Sequence, residues 1–335
     1  MKNIFFFSLL IFFSCEDSIN QEQNLNLTFI SSEGTYGNND GSISVFSDNQ
    51  KIQTIENIGD VVQSILVNDN NLFAIINNSH IIKRYKITEN GLSLPGIEIS
   101  TNNSSPREMI ILENKLYFTN WNSQDVKVLD LITYSIIASI PLNGIPEDIV
   151  TDGNHIWVSI PQLELYDPNN GSSVIKIDAI DNNIVETYEV GRGPEHMLIN
   201  DNNLWISRTF YSSDWSSATY GSSVINLDTK EIKIMNYGAG LVCGGSILKL
   251  NDNIYRTVNG GVAPLTSELE LNISAKIGDF NNLYSATSIN GYIYLGVSDY
   301  FSPDTVYTHN EIGEEINTLI VNQALPGDFA TWSID

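Results

Sequence analysis

Three ionisable residues stand at one position of a repeated segment. Ser105-Pro106-Arg107-Glu108-Met109-Ile110, Ile145-Pro146-Glu147-Asp148-Ile149-Val150 and Gly193-Pro194-Glu195-His196-Met197-Leu198 align residue for residue, so Glu108, Asp148 and His196 each follow a proline by two positions. Two carboxylates and an imidazole that meet could hold a divalent cation or a cationic ligand, or could share acid and base work. The alternative is a water-filled channel whose polar groups satisfy only one another. Weaker copies of the segment align Ser64, Ser246, Ala286 and Ala330 with these positions, so the expected ring is part ionisable and part small. Glu147 and Glu195 add carboxylates one position earlier, facing either the ring or solvent.

A second set of candidates is aromatic. Trp121 and Asn122 open one loop; Tyr211, Trp215 and Tyr220 sit in a long loop that follows Arg208; Tyr300 and Phe301 sit in another, at residues 297–304. Exposed aromatic side chains on loops either pack or bind, and an apolar or sugar-like ligand stacked there is the functional reading. Loops that cap a channel by folding over one another are the structural one. The candidate ligand-binding residues are therefore Glu108, Asp148, His196, Trp121, Arg208, Tyr211, Trp215, Tyr220, Tyr300 and Phe301.

Other chemistry-bearing residues do not form constellations. His80, His155 and His309 lack the close spacing of a zinc site. Cys243 precedes a strand, and no neighbour in sequence would activate it. Gly191-Arg192-Gly193-Pro194 reads as a tight turn, since no helix follows to make a phosphate loop. Residues 33–41 resemble a calcium loop in composition but not in spacing.

The elements that must position these residues are short strands. After each proline segment comes a polar turn and an apolar-aromatic strand: Leu116-Tyr117-Phe118-Thr119-Asn120, Ile156-Trp157-Val158-Ser159 and Leu204-Trp205-Ile206-Ser207. A third strand follows, Val126-Lys127-Val128-Leu129-Asp130 or Val174-Ile175-Lys176-Ile177-Asp178, and then a fourth. Four strands in roughly 40 to 48 residues is the period of a propeller blade. Weaker copies on both sides bring the array to six units. The seventh is split: the strand from Phe329 to Ile334 has no blade after it, and Leu27-Thr28-Phe29-Ile30-Ser31 begins as a second strand. The expected fold is an all-β, seven-bladed β-propeller of four-stranded antiparallel blades over residues 25–335, closed by pairing the C-terminal strand with the N-terminal blade. Such closure removes an exposed sheet edge.

The wording of the repeat resembles the YVTN-type propellers. Tyr117-Phe118-Thr119-Asn120 nearly spells that family's tetrapeptide, Gly41-Ser42-Ile43-Ser44-Val45-Phe46 looks like its third strand, and Val190-Gly191-Arg192-Gly193-Pro194 looks like its link between blades. The resemblance spans roughly residues 25 to 335; it implies the fold and leaves function open, since the family includes binding, structural and catalytic members. There is a weaker resemblance to the streptogramin lyases, which implies a histidine, a carboxylate and magnesium at the mouth, here His196 with Glu108 or Asp148. A second histidine at a neighbouring blade mouth is missing from that pattern.

The N-terminus sets the compartment. Lys2, an apolar run from Ile4 to Phe13 broken by Ser8, then Ser14 and Cys15, form a segment too short for a bilayer span, which needs about 20 apolar residues. A small residue followed by cysteine resembles the lipobox of bacterial lipoproteins, with Phe12 where leucine is usual, and implies a signal peptide at residues 1–14, lipidation of Cys15 and a flexible tether over residues 15–24. Cys243 alone would then remain, so no disulfide is expected and the core must hold the fold. A net charge of −24 repels phosphate backbones, which argues against nucleic acid; it reads as a solubilising acidic surface, or more sharply as attraction for cations or basic ligands.

The resulting expectation is a lipid-anchored protein of the bacterial cell envelope, on the outer membrane and surface-exposed, that touches the membrane only through its lipid. Its leading role is non-enzymatic binding of a small molecule or an envelope protein through the loop face. No cofactor is expected beyond a divalent cation at the axial mouth. The alternatives are a streptogramin lyase-like or other metal-assisted enzyme and a structural accessory to an outer-membrane transporter.

Overall fold

The second strand of each blade is buried at most positions because it is covered on both faces. Leu116, Tyr117 and Phe118 are all buried, as are Ile156, Trp157 and Val158 and, in another blade, Leu72, Phe73, Ala74, Ile75 and Ile76. A lone antiparallel sheet with one solvated face would alternate instead. Fourth strands do alternate or face solvent, as in Ser135–Pro141, where only Ile140 is buried. A strand sandwiched between neighbouring sheets and a strand at the rim of the molecule are thus distinguished by composition.

A computed structural model describes residues 25–165, 170–240 and 245–334. The signal segment, Cys15, the tether and Cys243 lie outside these residues. Seven antiparallel sheets form seven blades. Blade 1 joins the C-terminal strand Pro326–Ile334 to Leu25–Ser32, Ser42–Ser47 and Gln50–Ile55. Blades 2 to 5 and blade 7 each run through four consecutive strands, over residues 62–100, 106–141, 149–189, 194–239 and 283–320. The fourth position of blade 6 departs from the plan. Its strands are Ile247–Leu250, Asn253–Val258 and Gly261–Leu265, and the outer edge is covered by a segment that touches it through the bridges Leu265↔Leu271 and Val262↔Ile277 and a 3-10 turn at Ile273–Ala275.

Closure occurs where the sequence places it. Leu27 pairs with Trp332, Phe29 with Ala330 and Ile30 with Phe329. The first strands of the seven blades neighbour one another in a ring, with Pro326–Ile334 between the first strands of blades 7 and 2. Apolar clusters fill the spaces between blades, one joining Phe73, Ile75 and Ile82 of blade 2 to Met109, Leu116 and Phe118 of blade 3. Each blade therefore shares its burial with its neighbours, and a single blade could not hold it alone. Among the described residues no helix is long and apolar enough to cross a membrane.

Candidate ligand site at the axial mouth

All first strands enter the ring from one face, and the second strands end on it. A cavity of about 760 Å³ opens there. Two neighbouring positions of the proline segments and their weaker copies line it, with Ser64 of blade 2 the exception. Gln63, Arg107, Glu147, Glu195, Tyr284 and Gly327 occupy the first, while Glu108, Asp148, His196, Ser246, Ser285 and Asp328 occupy the second. Glu108, Asp148 and His196 do converge on one cavity. The small positions need correction in two blades. Ser285 pairs with Gly296 and Phe329 with Ile30, which puts Ser285 and Asp328, not Ala286 and Ala330, level with Glu108. Pro326 precedes Asp328 by two positions, the same spacing that marks the other three, so the signal was present in the sequence.

The ring is built by repeated hydroxyl contacts. Ser31, Thr119, Ser159 and Ser207, on the second strands of blades 1, 3, 4 and 5, accept hydrogen bonds from the backbone N–H of Asp328, Glu108, Asp148 and His196 at 3.0, 3.1, 2.9 and 3.1 Å. Two aspartates then serve the scaffold. Asp148 Oδ1 accepts from the N–H of Ile149 at 2.8 Å and its Oδ2 from Met197 of the next blade. Asp328 does likewise, accepting from Phe329 and from Ile65 of the next blade, both at 2.8 Å.

Glu147 is also committed. The Arg107 guanidinium donates to it at 2.6 Å, the Trp121 indole N–H donates at 2.8 Å, and Arg107 lies 4.1 Å from the centre of the Trp121 ring. Burial alone would pull the Arg107 pKa down, but Glu147 outweighs it and holds the pKa above its usual value. Glu33, a lining residue that sequence reasoning missed, accepts from the Tyr284 hydroxyl at 2.6 Å. It directly follows the second strand of blade 1, as Trp121 directly follows that of blade 3, and this equivalence was its signal.

Glu108 and His196 remain as groups not absorbed by the scaffold, and Glu195 is tied to it through the Thr209 hydroxyl. Burial raises Glu108 well above the ordinary carboxylate range, and the nearby Asp328 and Asp148 add to it. Burial pushes Glu195 up to about 7, with His196 opposing. Asp328 is pushed up to about 6, and Asp148 and Glu33 are raised, burial being the first cause in each. A crowd of carboxylates in a recess thus holds protons that a cation could displace.

The aromatic candidates divide. Trp121, Tyr211 and Trp215 line the cavity, and Tyr211 and Trp215 pack together with ring centres 5.2 Å apart. Tyr300 and Phe301 are 60% and 76% exposed and lie outside the lining, although Tyr300 meets Tyr284 edge-on at 6.4 Å. Arg208 and Tyr220 do not line the cavity. Arg208 is buried, donates to Met235 O at 2.9 Å and to Asn236, and is drawn down to about 10 by burial and by Arg256. Tyr220 packs on Tyr237 at 5.3 Å and lies under the buried Arg256. Arg208 belongs to a second strand sandwiched between blades, which decides its burial whatever its charge.

The isolated histidines have local roles. His80 Nδ1 accepts from the N–H of Ser105 at 3.1 Å, and His155 sits 3.1 Å from Asp152. Among the described residues no three His, Cys, Asp or Glu side chains are placed to hold a metal ion, so the expected divalent cation has no ligand set there.

No family model and no curated protein matches the sequence. Solved structures match the fold. BamB from Moraxella catarrhalis is 13% identical with a TM-score of 0.55, over 91% of this chain and 90% of that one. Apo AztD from Citrobacter koseri is 10% identical with a TM-score of 0.57, over 92% and 98%. A chain of a nidogen/laminin complex is 10% identical with a TM-score of 0.54, over 91% and 98%. At such identities the likeness establishes the β-propeller fold and nothing finer, and the seven blades are those of this chain's own sheets.

Proposed function

We propose that this chain is a YVTN-type envelope lipoprotein whose propeller binds a cationic small molecule, or a basic side chain of an envelope protein, in the mouth cavity. The observation that carries the reading is the composition of one recess: Glu33, Glu108, Glu147, Asp148, Glu195 and Asp328 surround it against Arg107 and His196, with Trp121, Tyr211 and Trp215 on its rim. A carboxylate at the base neutralises a cation, and indole faces stack against it or against its apolar body. The nidogen/laminin structure shows that a related fold takes part in a protein complex, which supports a protein as one source of the cation. For the lyase-like alternative, Glu108 is the carboxylate left to work with His196, because both Asp148 oxygens accept backbone N–H groups.

Calorimetry with agmatine and benzylamine as probes tests this. Both should bind the mature protein, acetate should not, and Glu108→Gln and Trp215→Ala should each weaken agmatine at least fivefold. Equal binding of acetate and agmatine, or unchanged affinity in both variants, would overturn the reading.

A further inference from the structure

Both ends of the described chain lie on the face opposite the cavity. The C-terminal strand starts at Pro326, beside the lining residues Gly327 and Asp328, and runs across the ring to Ile334. Leu25 pairs with Ile334, so the chain enters the propeller at that far end. Residues 16–24 are all that separate Leu25 from Cys15. Nine residues span at most about 30 Å even when fully extended. An acyl chain on Cys15 would therefore hold the far face near the bilayer, whereas the mouth lies a further strand length away, about 25 Å at ~3.3 Å per residue.

That face carries a repeated apolar feature. In the hairpins between third and fourth strands of blades 3, 4 and 7, the tips hold Ile132, Ile180 and Ile312, which are 75%, 89% and 73% exposed. Each is fixed by the same device: the side chains of Asp130, Asp178 and Asn310 accept from the isoleucine N–H at 3.1, 2.7 and 3.2 Å. Blade 5 has the same turn with Asp228 in place of isoleucine. Turn tips favour polar residues, and three isoleucines at one turn position on separate blades give three apolar points spread round one face. Asp69, Glu113, Asp201 and Asp252, in the hairpins between first and second strands, make the same face acidic. Apolar points on an acidic ground suit zwitterionic headgroups and oppose anionic ones.

We propose that this face lies against a zwitterionic lipid bilayer, with Ile132, Ile180 and Ile312 at the headgroups and the cavity opening away from the membrane. The proposal rests on the reading of Cys15 as the lipidated residue. The test uses the full mature chain carrying Cys243→Ser, reconstituted in phosphatidylethanolamine/phosphatidylcholine vesicles, with a fluorophore at Ile132→Cys, Ile180→Cys, Ile312→Cys or, on the mouth, Tyr300→Cys. Nitroxide-bearing headgroups should quench the three tip labels at least threefold more than the mouth label, and aqueous iodide should do the reverse. Adding phosphatidylglycerol should lessen the lipid quenching at the tips. Equal or inverted quenching in a chain that floats with the vesicles would overturn the orientation alone. A mature N-terminus without acyl mass at Cys15, and a chain that does not float, would overturn it together with its premise.

Discussion

Asp148 and Asp328 make the same pair of hydrogen bonds in different parts of the ring. Each accepts from the N–H of the residue after it and from an N–H on the first strand of the next blade, Met197 for Asp148 and Ile65 for Asp328. One position of the repeat therefore does two jobs. Where it is aspartate it staples adjacent blades; at Glu108 and His196 it leaves the functional group to the cavity.

Removing a staple should cost stability. Asp328→Ala strands two backbone N–H groups, each loss being worth about 1–3 kcal/mol. Urea unfolding of the variant should show a lower midpoint; an unchanged midpoint would mean that the two bonds carry no net weight.

Stability should fall as the solution becomes less acidic. A carboxyl whose folded pKa is raised binds its proton more tightly when folded, so its contribution is complete below the unfolded value and is lost as pH rises through the folded one. Glu195 at about 7 and Asp328 at about 6, against ordinary values of 4.5 and 3.8, place the window between about pH 4 and 7. Glu108, Asp148 and Glu33 shift in the same direction. The Tm should drop across that window, and Glu195→Gln should flatten the upper part of the fall. A Tm that climbs from pH 5 to pH 7 would contradict this account.

Cation binding should show the opposite dependence. An ionised carboxylate is the better partner for agmatine, so affinity should strengthen from pH 6 to pH 8 as Glu195 loses its proton near 7. In calorimetry near pH 7 the apparent enthalpy should change with the ionisation enthalpy of the buffer, because protons leave as the cation enters. A buffer-independent enthalpy would separate binding from these carboxyls.

The Arg107–Glu147 pair should be strongly coupled. At 2.6 Å, with side chains only 17% and 13% exposed, removal of one partner leaves a charge in a poor environment. Arg107→Met should destabilise by about 3–5 kcal/mol, and Arg107→Met with Glu147→Gln by clearly less. Additive effects in a double-mutant cycle would show that the contact contributes little.

Closure can be tested by truncation. Without residues 326–335, Leu25–Ser32 loses the strand paired with it and the first strands of blades 7 and 2 lose the one between them. The shortened chain should be protease-sensitive and should associate through its open edge, as light scattering would show. A monomeric, protease-resistant product would mean that the ring closes without this strand.

The sequence by itself determined the architecture, because a blade is a local object: four strands, their turns and the proline segment recur at a period the chain must repeat, and the unpaired ends at Leu27 and Trp332 call for each other. It also determined that Glu108, Asp148 and His196 meet, since a fixed offset in each blade becomes a fixed height on the axis. Only the tertiary structure decided what those groups are free to do. Asp148 is spent on Met197, Glu147 is captured by Arg107 and Trp121, and Arg208, next to the aromatic loop in sequence, is buried between blades. Each of these outcomes depends on a partner in a neighbouring blade or on the face that a sandwiched strand turns to it. Spacing within one repeat fixes a residue's height and direction; the residue it meets across the gap is fixed by how separate blades pack.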